Sequence, residues 1–186
     1  MAVHLFRTRG YESARLEDVA DELGITKAAI FYYFPKKIDL LIEICERAID
    51  EAMERQAAIL ASAAAPEERL RLAVADHIAG MATNAAVWNV FFREFDVVSI
   101  CEARRSAIAK RLSTFGQRFE RLLDEGISKG IFRPVDSRLA ANAILGMLNW
   151  SNRWIQADQA EDVSEVFNDL ISHALFAPAT KAGPRP

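Results

Sequence analysis

The run Arg15-Leu16-Glu17-Asp18-Val19-Ala20-Asp21-Glu22-Leu23-Gly24-Ile25-Thr26-Lys27-Ala28-Ala29-Ile30-Phe31-Tyr32-Tyr33-Phe34 decides how the chain folds. Leu16, Val19, Ala20 and Leu23 fall at i, i+3, i+4 and i+7, which puts one apolar stripe on an otherwise acidic helix. Gly24 stops that helix, because glycine takes positive φ without steric cost. Ile25 is expected to drop between two helices, Thr26 to cap the next one, and Ile30 and Phe34 to face back at i, i+4. The pattern predicts a helix-turn-helix in which the small Ala20 lets the second helix cross closely over the first.

The outer face of the second helix points to a partner. Lys27, Ala28, Phe31, Tyr32, Tyr33, Lys36 and Lys37 are not needed for the apolar stripe, and between Ile25 and Ile38 there are three lysines and no acid. Basic residues interleaved with aromatics make a surface suited to phosphates. The alternative is a solvated helix with Tyr32 and Tyr33 packed as core aromatics. Residues 1–47 carry seven basic against eight acidic side chains, so the positive charge is confined to this one edge.

Outward from this motif the whole chain reads as all-α. Its 186 residues contain only eight Gly and six Pro, and apolar residues recur at three and four rather than two. Breaks at Gly10, Gly24, Pro35, Pro66, near Asn84, around Ser99, at Gly130 to Pro134 and near Asp158 divide it into about nine helical pieces. The pieces are short as far as Pro35 and longer beyond it. This predicts a head over residues 1–36, a body over 37–176 and a flexible tail over 177–186. With 51% apolar residues there is material for a sizeable core, while 23 Lys+Arg against 26 Asp+Glu gives a net charge of −3 that argues against loose binding of nucleic acid by the whole surface.

The segment from Leu5 to Leu41, LFRTRGYESARLEDVADELGITKAAIFYYFPKKIDLL, closely resembles the DNA-binding head of the TetR family of bacterial transcriptional regulators. The resemblance rests on Gly10-Tyr11, the LEDVA helix, the Gly24 turn, the FYYF helix and the Phe34-Pro35-Lys36-Lys37 exit. It implies a ligand-responsive homodimeric repressor, with a helix-turn-helix head on a larger ligand-binding and dimerisation body, that places one recognition helix per subunit in successive major grooves of an operator. Lys27, Ala28 and Phe31 would then lie against base edges, and Tyr32, Tyr33 and Lys37 would hold phosphates, with Lys36 beside them. Arg15 stands where the family has a capping Ser or Thr, so capping weakens there while its charge suits phosphate. Phe31 stands where Tyr is more common. Met1 falls inside what should be the first helix, so that helix reads as truncated at its N-terminus.

In the body, Ile38, Leu41, Ile42, Cys45, Ile49 and Met53 continue at helical spacing along the helix that, by the resemblance, links head to body. Met81, Trp88, Phe91, Phe92, Phe95, Phe115, Phe119, Met147, Trp150 and Trp154 form a methionine and aromatic set that is either ordinary core or the lining of an apolar effector pocket, with Asn149, Asn152 and Arg93 as polar companions. The stretch Gly146-Met147-Leu148-Asn149-Trp150-Ser151-Asn152-Arg153-Trp154 looks like one found in relatives that sense acyl-CoA thioesters. That likeness implies a small apolar or amphipathic effector, an acyl-CoA or similar lipid-like ligand, with Arg93, Arg104, Arg105 or Arg153 as candidates for its phosphates. The last two helices, about Ser137 to Gln156 and Glu161 to Leu175, carry apolar stripes, and the family resemblance implies that they form the dimer seam through Ala140, Ile144, Leu148, Ser151, Val163, Phe167, Leu170 and Ile171.

The residues give no grounds for an enzyme. His4, His77 and His173 are scattered, no His or Cys pair has metal-ligand spacing, and Asp76 beside His77 points to a different helix face. No cofactor or metal is expected. Cys45 and Cys101 read as structural thiols, and the absence of a long apolar run predicts a cytoplasmic protein that does not enter membranes. The rival reading is a helical ligand-binding or interaction protein that no longer grips DNA because its first helix is truncated.

Overall fold

The computed structural model describes residues 2–94 and 102–176. The expected break near Ser99, the pocket candidate Phe95, Cys101 and the expected tail 177–186 lie outside the described residues. Nine α-helices are present among those described: α1 (Ala2–Arg9), α2 (Leu16–Leu23), α3 (Lys27–Tyr33), α4 (Lys37–Ala61), α5 (Pro66–Thr83), α6 (Ala85–Glu94), α7 (Glu102–Ser128), α8 (Ser137–Trp150) and α9 (Ala160–Leu175). The all-α expectation holds.

The head forms by the local rules its sequence announces. Gly24 takes φ 65° and its N–H, with that of Ile25, closes the end of α2 on the carbonyls of Asp21 and Ala20. Thr26 Oγ1 accepts from the Ala29 N–H at 3.1 Å and starts α3. Arg15 supplies no side-chain cap, and Asp18 compensates by accepting from the Arg15 N–H at 2.9 Å. Asp39 does the same for the Lys36 N–H at 3.0 Å where α4 begins. Carboxylates in the first turn also suit the positive end of a helix dipole. One expectation fails: Ile25 is 39% exposed and does not fill the space between the helices, whose contact is made by Leu16, Val19, Ala20 and Ile30.

Apolar packing crosses the head–body border. One buried cluster contains Leu5, Phe6, Leu16, Val19 and Ile30 of the head, Leu41 and Ile49 of α4, and Met81, Trp88, Phe91 and Ile108 of the body. A second cluster, built on Leu70, Val74, Ile78, Phe119, Leu123, Ile144, Leu148, Phe167 and Ile171, holds α5, α7, α8 and α9 together. Cys45 lies in the first cluster, fully buried, and burial pushes its thiol well up from the ordinary value, so it packs as a small apolar group.

Two features shape the far end. Gly126 is needed because a Cβ there would stand 2.0 Å from Cδ2 of the buried Phe132. The last long helix pair departs from its expected extent: α8 stops at Trp150 and a short 3₁₀ turn covers Ser151–Arg153, where a helix to Gln156 was expected. The cause is a reciprocal amide pair. Asn89 Nδ2 donates to the Asn152 carbonyl at 2.9 Å and Asn152 Nδ2 donates to Asn89 Oδ1 at 3.0 Å, which takes the residue-152 backbone for α6 instead of α8.

Candidate nucleic-acid interface and ligand cavity

α3 presents an unusual surface for so short a helix. Tyr32 is 81% and Tyr33 71% exposed, with their rings braced edge to face at 5.3 Å. Phe31, Lys27, Ala28, Lys36 and Arg15 are also exposed. Only Ile30 of α3 is buried, so a single anchor seats the helix and leaves the rest of its circumference free to meet a partner. Aromatic rings left in water on a helix with no acidic residue fit a groove lined with bases and phosphates better than they fit solvent.

Lys37 is placed differently from its expected role. Its Nζ donates to the carbonyls of Tyr11, Glu12 and Ala14 at 2.6, 3.1 and 3.0 Å and sits 4.4 Å from the centroid of the Tyr11 ring. An ammonium has three protons, and these acceptors use all three. Lys37 therefore ties the first turn of α4 to the chain between α1 and α2, and the assignment of phosphate binding to it is corrected. The signal was absent from the sequence because its partners are backbone carbonyls.

A cavity of about 350 Å³ opens between α4, α5, α6, α7 and α8. Of the aromatic and methionine set, Met81, Trp88, Phe92 and Phe115 line it, joined by Ile49, Leu112 and Leu145. Phe91 and Phe119 are 1% exposed and belong to the packed clusters instead, and Met147 packs against the second cluster without reaching the cavity. Trp150 and Trp154 are corrected outright. They are 58% and 48% exposed on the outer side of α8 and the turn after it, where Arg153 stacks on Trp150 at 4.0 Å.

Polar groups enter the cavity at two levels. At the rim, Arg55 Nε donates to Asp76 Oδ1 at 2.7 Å, beside exposed Glu51 and Thr83. Inside, His77 and Asn149 meet across from α5 and α8, with His77 Nε2 2.9 Å from Asn149 Oδ1. Burial lowers the His77 pKa to about 4, so the ring is neutral at pH 7. Asp76 and His77, expected to diverge as adjacent residues, both reach this cavity, one at its rim and one inside. Of the arginines considered for phosphate, Arg104, Arg105 and Arg153 do not line it. Arg104 is held by Glu43 and Glu46, Arg153 lies on the outer face, and Arg105 lines no wall, while the Arg93 side chain falls outside what is described.

The residues expected in the seam divide between buried and exposed positions of α8 and α9. Ile144, Leu148, Ser151, Phe167 and Ile171 are buried within the protomer. The large apolar residues left exposed on α8 and α9 are Leu139, Trp150, Val166 and Leu170, with Ala140 and Val163 half-buried beside them. Among the described residues no group of three or more His, Cys, Asp or Glu could hold a metal ion, and no helix is long and apolar enough to cross a membrane.

Two family models match separate stretches of the chain. Residues 1–44 match the family described as bacterial regulatory proteins, tetR family, and residues 63–175 match the tetracyclin repressor-like C-terminal domain. The chain is 26% identical over 175 residues to the fatty acid metabolism regulator protein of Bacillus subtilis, covering 91% of this chain and 88% of that one. Among solved structures, a transcriptional regulator of the TetR/AcrR family from Thermobifida fusca superposes with a TM-score of 0.77 at 31% identity, covering 100% of this chain and 94% of that one. A transcriptional regulator from Saccharomonospora viridis, solved with choline, superposes with a TM-score of 0.79 at 26% identity, over 95% of this chain and 94% of the other.

Proposed function

The chain belongs to the TetR family of bacterial regulatory proteins, and from that premise we propose that it is a cytoplasmic homodimeric repressor released from its operator by a small apolar or amphipathic effector, an acyl-CoA or similar lipid-like ligand. Family membership makes it a DNA-binding regulator of transcription and not an enzyme. It also disfavours the reading of a binding protein that has lost DNA, since the tetR-family match takes in the helix-turn-helix and Leu5 and Phe6 of α1 are packed in the head.

One observation carries the effector reading. Met81, Trp88 and Ile49, which line the cavity, belong to the same packed cluster as Leu5, Phe6 and Ile30 of the head. Close-packed interiors transmit displacement instead of absorbing it. A ligand that pushes on this wall moves residues continuous with the seat of α3, and the two recognition helices of a dimer lose their fixed spacing. The acyl class is supported by the apolar lining and by the fatty acid metabolism regulator of Bacillus subtilis. Choline is the competing class, supported by the Saccharomonospora viridis structure and by Trp88, Phe92 and Phe115 as ring faces for a cation. The acyl reading is preferred because the cavity carboxylates, Glu51 and Asp76, lie at its rim and Asp76 is already paired with Arg55.

The dimer is proposed through Leu139, Trp150, Val166 and Leu170, the apolar residues that the protomer leaves wet. Phosphates are assigned to Tyr32, Tyr33, Lys36 and Arg15, and base edges to Lys27, Ala28 and Phe31. The test is anisotropy of labelled duplexes enriched from a random-sequence pool, titrated with salt between about 50 and 200 mM. Binding that weakens with salt and is reversed by an acyl-CoA is expected. Folded protein that enriches no duplex, or release by choline and by no acyl compound, would overturn the reading.

A further inference from the structure

The polar pair inside the cavity has bonding capacity that the protein does not use. Asn149 Oδ1 is an amide oxygen and can only accept, so the 2.9 Å contact requires His77 to carry its proton on Nε2. That leaves His77 Nδ1 as a bare acceptor and Asn149 Nδ2 with two protons to donate. Neither atom has a hydrogen-bond partner among the described residues, and both side chains line the cavity. Around them the wall includes Ile49, Met81, Leu112, Phe115 and Leu145, which carry no N–H or O–H on their side chains, and Trp88, whose indole N–H makes no hydrogen bond to either atom among the described residues. Polar groups facing a largely apolar space are costly unless something pairs with them.

Resting on the reading that this cavity holds the effector, we propose that Asn149 and His77 recognise the carbonyl region of an acyl ester or thioester, with the Asn149 amide donating to the carbonyl oxygen and His77 Nδ1 accepting from a ligand N–H or O–H near it. Electrostatics separate this class from the free acid. The ring is neutral, and the rim cation Arg55 is held by Asp76. A carboxylate entering the cavity would lose its water and meet no free cation, whereas an ester or thioester carbonyl exchanges one hydrogen bond for another. The same logic leaves a polyanionic head group outside, because the rim offers Glu51 and Asp76 against the single Arg55.

The experiment uses the full chain and three probes: S-octanoyl-N-acetylcysteamine, its thioether analogue in which a methylene replaces the carbonyl, and octanoate. Affinities are measured by calorimetry for the wild type and for the double variant His77→Phe/Asn149→Leu, which replaces both partners so that no buried orphan remains. Asn149→Leu alone serves as a second variant, and all are checked for folding by thermal melts. The wild type should bind the thioester about three- to tenfold more tightly than the thioether, the worth of one neutral hydrogen bond, and octanoate more weakly than either. The double variant should bind both uncharged probes alike. Equal affinity of the wild type for thioester and thioether, a preference that survives in the double variant, tighter binding of octanoate, or binding of no probe would overturn the proposal. A carbonyl preference that vanishes in the double variant, in a protein whose DNA no acyl compound releases, would uphold the proposal and refute the release function.

Discussion

Replacing Lys37 by methionine keeps most of the unbranched side chain and removes its charge. The ammonium donates to three backbone carbonyls within 3.1 Å and lies over the Tyr11 ring. Hydrogen bonds from a charged donor contribute about 1.5–3 kcal/mol each when measured singly. The three share one charge in a half-buried setting and the freed carbonyls can find water, so their sum is sub-additive, and about 2–4 kcal/mol is the expected loss. For a chain of this size that lowers the melting temperature by roughly 5–15 °C. Calorimetry reads this directly, and the salt dependence of DNA binding reads the alternative. A phosphate ligand contributes about 0.9 to the slope of log K against log salt. Lys37→Met, assayed well below its melting temperature, should keep the wild-type slope. A variant of unchanged stability whose slope falls by about 0.9 would refute the structural role and restore phosphate binding to this residue.

Three further outcomes are expected. Gly126→Ala adds a Cβ that would overlap the buried Phe132 ring, so despite the better helix propensity of alanine the protein should lose about 1–3 kcal/mol in urea denaturation, and an unchanged midpoint would mean that the ring has room to move. Leu170→Glu charges an exposed residue of α9 and should shift sedimentation from dimer to monomer while the fold persists; a dimer that survives places the subunit contact elsewhere. His77 titrates at about 4 in the folded state, below its ordinary value near 6.5, so the unfolded chain binds the extra proton between these limits and stability falls as pH drops from 6.5 to 4. His77→Phe should flatten that part of the stability profile, and a profile identical to wild type would contradict the burial of the ring.

The head was legible because its geometry is encoded locally: Gly24, Thr26 and the spacing from Leu16 to Ile30 act within a few residues of one another. The seam was less so. Periodicity shows that α8 has an apolar face, but Leu139 and Trp150 point outward where Ile144 and Leu148 point inward, and spacing alone does not say which face belongs to the chain's own core. His77 was passed over because its neighbour Asp76 was weighed as its partner, whereas Asn149 lies 72 residues away. Lys37 was misread because every residue carries a carbonyl, so three that converge on one ammonium leave no mark in the sequence.

The surface of α3 has an entropic side as well. Tyr32 and Tyr33 each rotate about only two side-chain bonds, and their edge-to-face contact limits even that. A long flexible lysine gives up as much as about 1.5–2 kcal/mol of rotamer freedom when it is pinned. If this edge meets DNA as proposed, a braced pair of rings would arrive with little motion left to lose, and the complex could tolerate a smaller number of charged contacts.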